Sequence, residues 1–143
     1  MKTVTSFRVA AGDTDFSQGV FYPTYIRWFD CGKNELLRAL SIRIDPSDTK
    51  LRIEGTASES FLIVQDFTCS VLAKSKFDDY LELHTILKTV GESSIKLEFN
   101  LFNKQQETLL VRGELLLMHV DPSGSIVPIT EDLRKRLESG KLV

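Results

Sequence analysis

The sequence predicts an α+β fold in which one long helix is followed by several antiparallel strands. Apolar residues recur at helical spacing between Tyr22 and Leu40, and from Glu59 onward the pattern changes to a period of two. The first pattern is typical of an amphipathic helix and the second of half-buried strands. Because 143 residues are the usual size of one domain, we expect a single domain over residues 1–143.

Composition and charge narrow the class of protein. The chain is 42% hydrophobic and 27% charged, as in soluble globular proteins, with a formal net charge of −2. The sequence contains no basic run of the kind that would predict a nucleic-acid partner. No apolar stretch is long enough to span a bilayer, and the first residues lack the apolar segment of a signal peptide. Cys31 and Cys69 are isolated and lack metal-ligand spacing, which favours buried thiols. We expect a cytoplasmic protein without a metal, a membrane or a nucleic-acid partner.

The first forty residues are predicted to form a strand, a loop and the long helix. Residues 6–10 suit a short strand, and residues 12–18 are rich in Gly, Asp and Ser, which favour loops. Pro23 suits the first helical turn, where the amide hydrogen that it lacks would have no intrahelical partner. Gly32 on the apolar face predicts close approach of the helix to a sheet. The helical stripe comprises Tyr22, Tyr25, Ile26, Phe29, Gly32, Leu36, Leu37 and Leu40.

The remainder is predicted to be a loop followed by strands. Residues 42–58 are polar and irregular, with Pro46 and Gly55, and are predicted to form a loop. Alternating apolar positions predict four long strands, over residues 67–73, 80–90, 95–101 and 109–120.

Short connections and a capping residue complete the predicted topology. The links at 74–79, 91–94 and 103–107 are short, so consecutive strands are predicted to form antiparallel hairpins. Thr130, followed by two acids, is predicted to cap a short final helix over residues 133–139. The last strand is apolar on both faces, since Leu116 and Met118 alternate with Leu115 and Leu117. Burial on both sides is most simply provided by a homo-oligomer.

An acidic loop directly before the helix is the chemical feature of the chain. Asp13 and Asp15 precede the helix entry at Tyr22. This order can place a carboxylate beside the amide end of a helix, where it could activate or supply a nucleophile for a carbonyl while amides stabilise the oxyanion. Asp15 could instead cap a turn with its side chain. Asp13 is predicted to brace the loop by accepting backbone amides.

The chain resembles hotdog-fold thioesterases of the 4-hydroxybenzoyl-CoA thioesterase type. The resemblance rests on Gly12-Asp13-Thr14-Asp15, Val20-Phe21-Tyr22-Pro23-Thr24-Tyr25, Arg27-Trp28-Phe29-Asp30 and Phe77-Asp78-Asp79, and the order of elements agrees over residues 3–128. It implies a single hotdog domain, with a long central helix wrapped by an antiparallel sheet of about five strands. It also implies a homodimer or homotetramer with active sites at the subunit interface.

The resemblance also implies an activity and roles for named residues. Asp15 matches the catalytic carboxylate, as nucleophile or general base, and Tyr22 matches the oxyanion donor through its backbone amide. Asp30 aligns with the helix aspartate that faces the ring substituent in the aryl enzymes, although it could instead pair with Arg27 or Asn34. The implied reaction is hydrolysis of an acyl or aryl CoA thioester, with no cofactor.

Other candidate residues follow from the sequence itself. Phe21, Trp28 and residues 61–64 are predicted to form pocket walls, and Trp28 lies off the main helical stripe. His84 and His119 have no nucleophile at motif spacing and are predicted to be structural or exposed. Five basic side chains could bind phosphate, with surface charge as the default interpretation: Lys74, Lys76, Lys88, Lys96 and Arg112.

Three departures from the family pattern bear on specificity. Gln18 occupies the place of the usual glycine, and Gly19 follows it. The turn at 91–94 lacks the basic run that the related aryl enzyme uses for CoA phosphates, and residues 61–64 do not match its ring-hydroxyl contact. The alternatives are a thioesterase acting on acyl carrier protein and a non-catalytic acyl-CoA binding module. A pure binder needs no acid beside the carbonyl, so Asp15 favours an enzyme.

Overall fold

The order of the long helix and the long strands agrees with the periodicity, and three additional short strands follow the helix. The computed structural model describes residues 1–53, 56–57 and 59–141. A 3₁₀ turn at Ala11–Asp13 follows the first strand. The elements are β1 (Lys2–Arg8), α1 (Tyr22–Ala39), β2 (Ile42–Ile44), β3 (Leu51–Ile53), β4 (Thr56–Ala57), β5 (Phe61–Val71), β6 (Tyr80–Val90), β7 (Ser94–Asn103), β8 (Thr108–Val120) and α2 (Glu131–Lys141).

The main sheet has five antiparallel strands in the order β1-β6-β7-β8-β5. The hairpins β6–β7 and β7–β8 confirm the prediction from short connections. The predicted β5–β6 hairpin is wrong, because β5 pairs with β8 along its length and β1 occupies the free side of β6. The amides of Leu72 and Ala73 both donate to Leu110 O, at 2.7 and 3.1 Å, and hold β5 beside β8 to its end. The link to β6 therefore crosses the ends of β8 and β7.

Helix α1 lies against the inner face of this sheet at very close range. A Cβ atom on Gly32 would stand 2.5 Å from Thr85 Oγ1 and 2.8 Å from Leu83 Cδ2. The Phe29 ring stacks on Phe99 with centroids 4.5 Å apart. The close approach predicted from Gly32 is confirmed, and it lets a single helix bury the inner side chains of β6 and β7.

The buried side of α1 is rotated from the predicted stripe. Tyr22 and Ile26 are 73% and 47% exposed, whereas Trp28 is only 4% exposed. Trp28 stacks on Phe7 of β1, with ring centroids 5.1 Å apart, and meets Tyr25 edge-on. The placement of Trp28 off the buried side is therefore wrong. The edge strand β1 supplies a wall on that side of the helix, while the Tyr22 side remains uncovered.

The segment predicted as a loop carries a second sheet. Strands β2, β3 and β4 pair in that order, and Ile42, Leu51 and Ile53 are buried in the core. The loop prediction over residues 42–58 is wrong here, because strands of three residues are too short to display a period. Gly55, which contributed to that prediction, lies outside the described residues.

The C-terminal helix α2 closes the end of the core. Thr130 Oγ1 accepts the Leu133 amide at 3.3 Å, as predicted for its cap. Leu133 and Leu137 are buried. One helix packed on a five-stranded antiparallel sheet, with a short C-terminal helix, confirms the predicted hotdog architecture. Leu116 and Met118 are half-buried on the outer face of β8, and the homo-oligomer inferred from that strand stays a prediction.

Candidate active site

Asp13 ties the acidic loop to the start of α1. Its main-chain oxygen accepts the Phe21 amide at 2.8 Å. Its carboxylate accepts the Ala10 amide at 2.8 Å through Oδ2 and pairs with the Arg27 guanidinium through Oδ1. Asp13 is only 8% exposed. Because both carboxylate oxygens are engaged, Asp13 has the structural role that was predicted for it.

Asp15 sits in a tight turn between the 3₁₀ turn and the helix. Its Oδ1 accepts the Ser17 amide at 2.8 Å and also the Ser17 hydroxyl. The main chain closes the turn, since the Asp15 amide donates to Gly19 O at 3.0 Å and the Gln18 amide to Asp15 O at 2.9 Å. Gln18 has a φ of 68°, in the left-handed region that favours glycine. The replacement of the usual glycine thus keeps a left-handed turn.

The surroundings of Asp15 favour its ionised form. Hydrogen bonds from the Ser17 hydroxyl and amide lower the pKa of the carboxyl below its ordinary value, and the nearby Lys74 ammonium adds to this shift. The residue is half-buried. The carboxylate is therefore anionic at neutral pH, which both a nucleophile and a general base require.

The helix entry offers one amide in particular. The Phe21 amide is used by Asp13, and the Thr24 amide donates to Phe21 O at 2.8 Å. Pro23 has no amide hydrogen, and the first amides of a helix have no acceptor within it. This leaves the Tyr22 amide at the positive end of α1, where it can stabilise negative charge.

The Asp-x-Ser turn alone does not distinguish a site. Asp45 accepts the amide and the hydroxyl of Ser47, and Asp121 does the same with Ser123. The pKa of each of these carboxyls is likewise lowered, mainly by its serine hydroxyl. Of these three turns, the one at Asp15 is joined through Asp13 to the start of the long helix. This connection to the helix entry distinguishes Asp15 as the candidate catalytic carboxylate.

An apolar groove opens beside the helix entry. It holds about 340 Å³ between the first turns of α1 and strand β5, and is lined by Tyr22, Pro23, Ile26, Phe67, Cys69 and Val71. Burial raises the pKa of the Cys69 thiol, so it contributes an uncharged wall. Because none of the described residues that line it is charged, the groove suits an apolar group next to the Tyr22 amide.

Asp30 lies in a different cleft, two helical turns further along α1. Its Oδ1 meets Lys33 Nζ at 2.7 Å, so neither of the predicted partners, Arg27 or Asn34, is the one observed. Asp30, Phe61 and residues 62–63 line this cleft of about 730 Å³. Eight residues of helix correspond to a rise of about 12 Å. Within one chain, Asp30 and residues 61–63 come together, but away from Asp15.

The remaining predicted residues are placed as follows. Phe21 is 51% exposed beside the helix entry, and Trp28 is buried in the core. The substrate contacts expected of Phe21, Trp28 and Asp30 stay predictions. His119 is buried, with Nε2 at 2.8 Å from Ser60 Oγ and Nδ1 at 3.1 Å from the carbonyls of Val127 and Pro128. That histidine is a structural tie, as predicted.

Sequence reasoning missed the side chains that modify Asp15. Ser17 could have been found from the Asp-x-Ser spacing, since such serines close turns of this kind. Lys74 could not, because it reaches Asp15 from the distant β5–β6 link.

None of the helices in the described ranges is both long and apolar enough to cross a membrane.

The chain is similar in sequence to a known thioester hydrolase. No protein-family model matches the chain. Acyl-CoA thioester hydrolase YbgC, from Escherichia coli and from Shigella flexneri, is 28% identical over 115 residues, which cover 80% of this chain and 79% of that protein.

Two solved structures are similar in shape at low identity. Slr0204, a 1,4-dihydroxy-2-naphthoyl-CoA thioesterase from Synechocystis, is 12% identical with a TM-score of 0.82 over 96% of each chain. SAV2348 from Staphylococcus aureus, solved in complex with CoA, is 10% identical with a TM-score of 0.84, over 99% of this chain and 84% of that one. The structural likeness establishes the fold, and the sequence likeness to YbgC supports a thioester hydrolase.

Proposed function

We propose that the chain is an acyl-CoA thioesterase in which Asp15 and the Tyr22 amide act on one thioester carbonyl. The observation that carries the proposal is the junction itself. Through the Phe21–Asp13 hydrogen bond, the loop that bears an ionised carboxylate is tied to the helix end, where the Tyr22 amide has no acceptor among the described residues. An attacking group and an oxyanion donor are the two requirements of acyl transfer to water.

In the general-base route, Asp15 takes a proton from water while the water oxygen bonds to the thioester carbon. The carbonyl oxygen becomes an oxyanion, and the Tyr22 amide stabilises it by on the order of 3 kcal/mol. When the carbonyl reforms, the carbon–sulfur bond breaks and the CoA thiolate leaves, taking the proton from Asp15. In the nucleophilic route, an Asp15 oxygen bonds to the carbonyl carbon, the carbon–sulfur bond breaks and the CoA thiolate leaves. Water then hydrolyses the mixed anhydride, which releases the acid and restores the Asp15 carboxylate.

These two routes are separable by isotope labelling. A single turnover in ¹⁸O-water, followed by mass spectrometry of the peptide that contains Asp15, reports whether the carboxylate exchanged oxygen with water. Label in Asp15 supports the anhydride route. Label found only in the released acid supports the general-base route if hydroxylamine added during turnover also traps no acyl group from Asp15, because attack of water on the acyl carbon of the anhydride gives the same label.

The apolar groove supports an apolar acyl or aryl group as the substrate. An unpaired charge buried against Ile26 and Phe67 would cost several kcal/mol. A hydroxylated aryl group of the 4-hydroxybenzoyl type would also require a polar contact at its far end. The family resemblance assigns that contact to Asp30, which within one chain lines a different cleft from the groove. The contact with Asp30 is the sole basis on which we propose specificity for hydroxylated aryl groups.

The uncovered edge of the sheet supports a homo-oligomer. Val64 pairs with Leu117 and Val71 with Val111, so both valines lie on the inner face, yet they are 50% and 40% exposed. An exposed, apolar edge strand is a site for pairing with another chain. We propose that a second copy covers β5, as a homodimer or as part of a homotetramer, and brings the site to the subunit interface.

A thiol-release screen tests the activity. Short, long and aromatic acyl-CoAs would be compared with the same acyl groups on acyl carrier protein, and with free-acid formation measured in parallel. We expect turnover of apolar acyl-CoAs or aryl-CoAs. Preference for carrier-protein thioesters would favour the alternative thioesterase, and CoA binding without turnover would favour a binding module.

A further inference from the structure

A second cleft adjoins the Asp15 turn, and its lining is polar. It holds about 430 Å³ and lies between the turn at 17–19 and the β5–β6 link at 74–76, with Asp79, Asn103 and Gln106 at its far side. We name it the lysine cleft, after Lys74 and Lys76. The two segments are joined by pairing of Gly19 with Lys76 and by the Val20 amide, which donates to Ser75 O at 3.1 Å.

Both lysines are available to a ligand. Their side chains are exposed, and within the described ranges neither forms an ion pair, whereas Lys33, Lys50 and Lys88 each have a carboxylate partner. The Lys74 stem lies along the turn, with Cδ 3.8 Å from where a Cβ on Gly19 would stand. This placement puts its ammonium close enough to act on the Asp15 carboxylate.

A buried side-chain amide with unused hydrogen-bond donors completes the cleft. Asn103 is 5% exposed, and its Oδ1 accepts the amides of Gln105 and Gln106 at 3.0 and 3.1 Å. Those two donors fix which end of the side chain is oxygen, so the Nδ2 donors are left for another partner. Ser75 is fully buried, and the Tyr25 phenol lies within interaction range of its hydroxyl.

The cleft contains a single carboxylate, and it is partly engaged. Asp79 Oδ2 accepts the Lys76 amide at 3.0 Å, which holds it against the main chain of the link. Two cations and the donors of Asn103 outnumber the one carboxylate of the described lining, and the Asp15 carboxylate lies beside Lys74 at its border. An anion with several acceptor oxygens fits this set, and phosphate is the ligand group that ammonium ions and amide donors commonly bind.

We propose that the lysine cleft binds the phosphate groups of the CoA part of the substrate. The inference rests on the proposed thioesterase function, because that function puts the thioester at Asp15, in the turn that also forms one wall of the cleft. The acyl group then occupies the apolar groove on one side of the helix entry, and the phosphates occupy the lysine cleft on the other. The carbonyl is held between two anchors of opposite character.

The test compares two thioesters that differ only in the thiol. The same acyl group is offered on CoA and on N-acetylcysteamine, which has no phosphate, to Lys76→Gln, Lys74→Gln and the double variant. We expect kcat/KM for the CoA thioester, divided by that for the N-acetylcysteamine thioester, to fall about tenfold for each lysine. Because salt screens the attraction between ammonium and phosphate, the difference in this ratio between the parent and each variant should become smaller as ionic strength rises.

The ratio separates phosphate binding from an effect on Asp15. If Lys74 acts only by adjusting the carboxylate, both thioesters lose equally and the proposal is overturned. Lys96→Gln is the matched control, because it removes the same charge from β7 outside the cleft, and its ratio should stay at the parent value. An unchanged ratio in the double variant would also overturn the proposal.

Calorimetric titration with free CoA gives a readout that needs no turnover. We expect the double variant to bind CoA at least about tenfold more weakly, with inorganic phosphate too weak to compete at equal concentration. If neither thioester is hydrolysed but CoA binding depends on the two lysines, the proposed activity fails and the cleft stands. Binding of inorganic phosphate alone, with no dependence of CoA binding on the lysines, would contradict the cleft assignment.

Discussion

The amide of Phe21 donates a 2.8 Å hydrogen bond to the main-chain oxygen of Asp13. This bond closes the acidic loop onto the start of α1. The two acids of that loop, Asp13 and Asp15, have different surroundings and different roles. Asp13 shapes the loop through buried contacts, while Asp15 remains half-buried and ionised. A structural acid and a chemical acid two residues apart are thereby distinguished by their partners.

The first prediction concerns the carboxylate of Asp15. The nearly isosteric Asp15→Asn substitution should leave the fold intact and lower turnover about a hundredfold or more, because a positioned acid or base contributes at least that much. Thiol release and circular dichroism measure the two effects. Asp121→Asn is the matched control, since Asp121 makes the same turn with Ser123 away from the helix entry. Equal activity in the two variants would contradict the role of Asp15.

The second prediction concerns pH. Because the Ser17 hydroxyl is the largest cause of the lowered pKa of Asp15, Ser17→Ala should raise that pKa. The carboxylate is the active form, so activity is lost as pH falls through its pKa, and the acid limb of kcat/KM should move to higher pH in the variant. Ser123→Ala controls for loss of an equivalent hydroxyl. An acid limb that does not move would show that another group sets it.

The third prediction concerns the contribution of Asp13 to the stability of the fold. Asp13→Ala leaves the Ala10 amide without its acceptor and removes the partner of Arg27. Losing a buried, charge-assisted acceptor costs about 1–3 kcal/mol of unfolding free energy. Urea denaturation should show this loss, whereas Arg27→Ala should cost less, because the Arg27 side chain is 63% exposed and exposed pairs contribute little. A fully stable Asp13→Ala variant would refute the bracing role.

Long periodic segments made much of the fold predictable. The bounds of β6 agree with the prediction residue for residue, and α1 begins at the predicted Tyr22–Pro23 entry. Each element spans ten residues or more, so its period is repeated often enough to be unambiguous. The three-residue strands β2 and β3 lack that repetition. The partner of β5 depends on sheet order, which the length of a connection does not encode.

The candidate site was predictable only where it is local in sequence. Asp15 and the Tyr22 amide lie on one loop and the helix that follows, so their order along the chain suggests their proximity. Lys74 enters from a link that follows β5, and Asp30 pairs with Lys33 rather than with Arg27 or Asn34. These contacts depend on tertiary placement and on rotamers, which no spacing rule specifies.

The fourth prediction concerns the oligomer. Light scattering at micromolar concentration should give at least twice the mass of one chain. Val64→Lys places a charge on the uncovered inner face of the edge strand β5 and should shift the population toward monomer. Val4→Lys is the matched control on the other edge strand, β1, since the two valines are 50% and 49% exposed. A monomeric parent that still hydrolyses acyl-CoA would refute both the oligomer and the shared site.

The fifth prediction concerns specificity at Asp30. If Asp30 accepts a hydrogen bond from a ring hydroxyl, Asp30→Ala should lower kcat/KM for 4-hydroxybenzoyl-CoA far more than for benzoyl-CoA. A site built to bond a hydroxyl discriminates strongly against an analogue that lacks it. The change also removes the partner of Lys33, which is only 8% exposed, so stability must be measured in parallel.

Asp30→Asn separates these two effects. The amide keeps the size of the side chain and an oxygen for Lys33, but it loses the charge that makes a carboxylate a strong acceptor. We expect Asp30→Asn to be nearly as stable as the parent and still to disfavour the hydroxylated substrate. Equal losses on both CoA thioesters in both variants would mean that Asp30 supports the helix through Lys33 and does not contact the substrate.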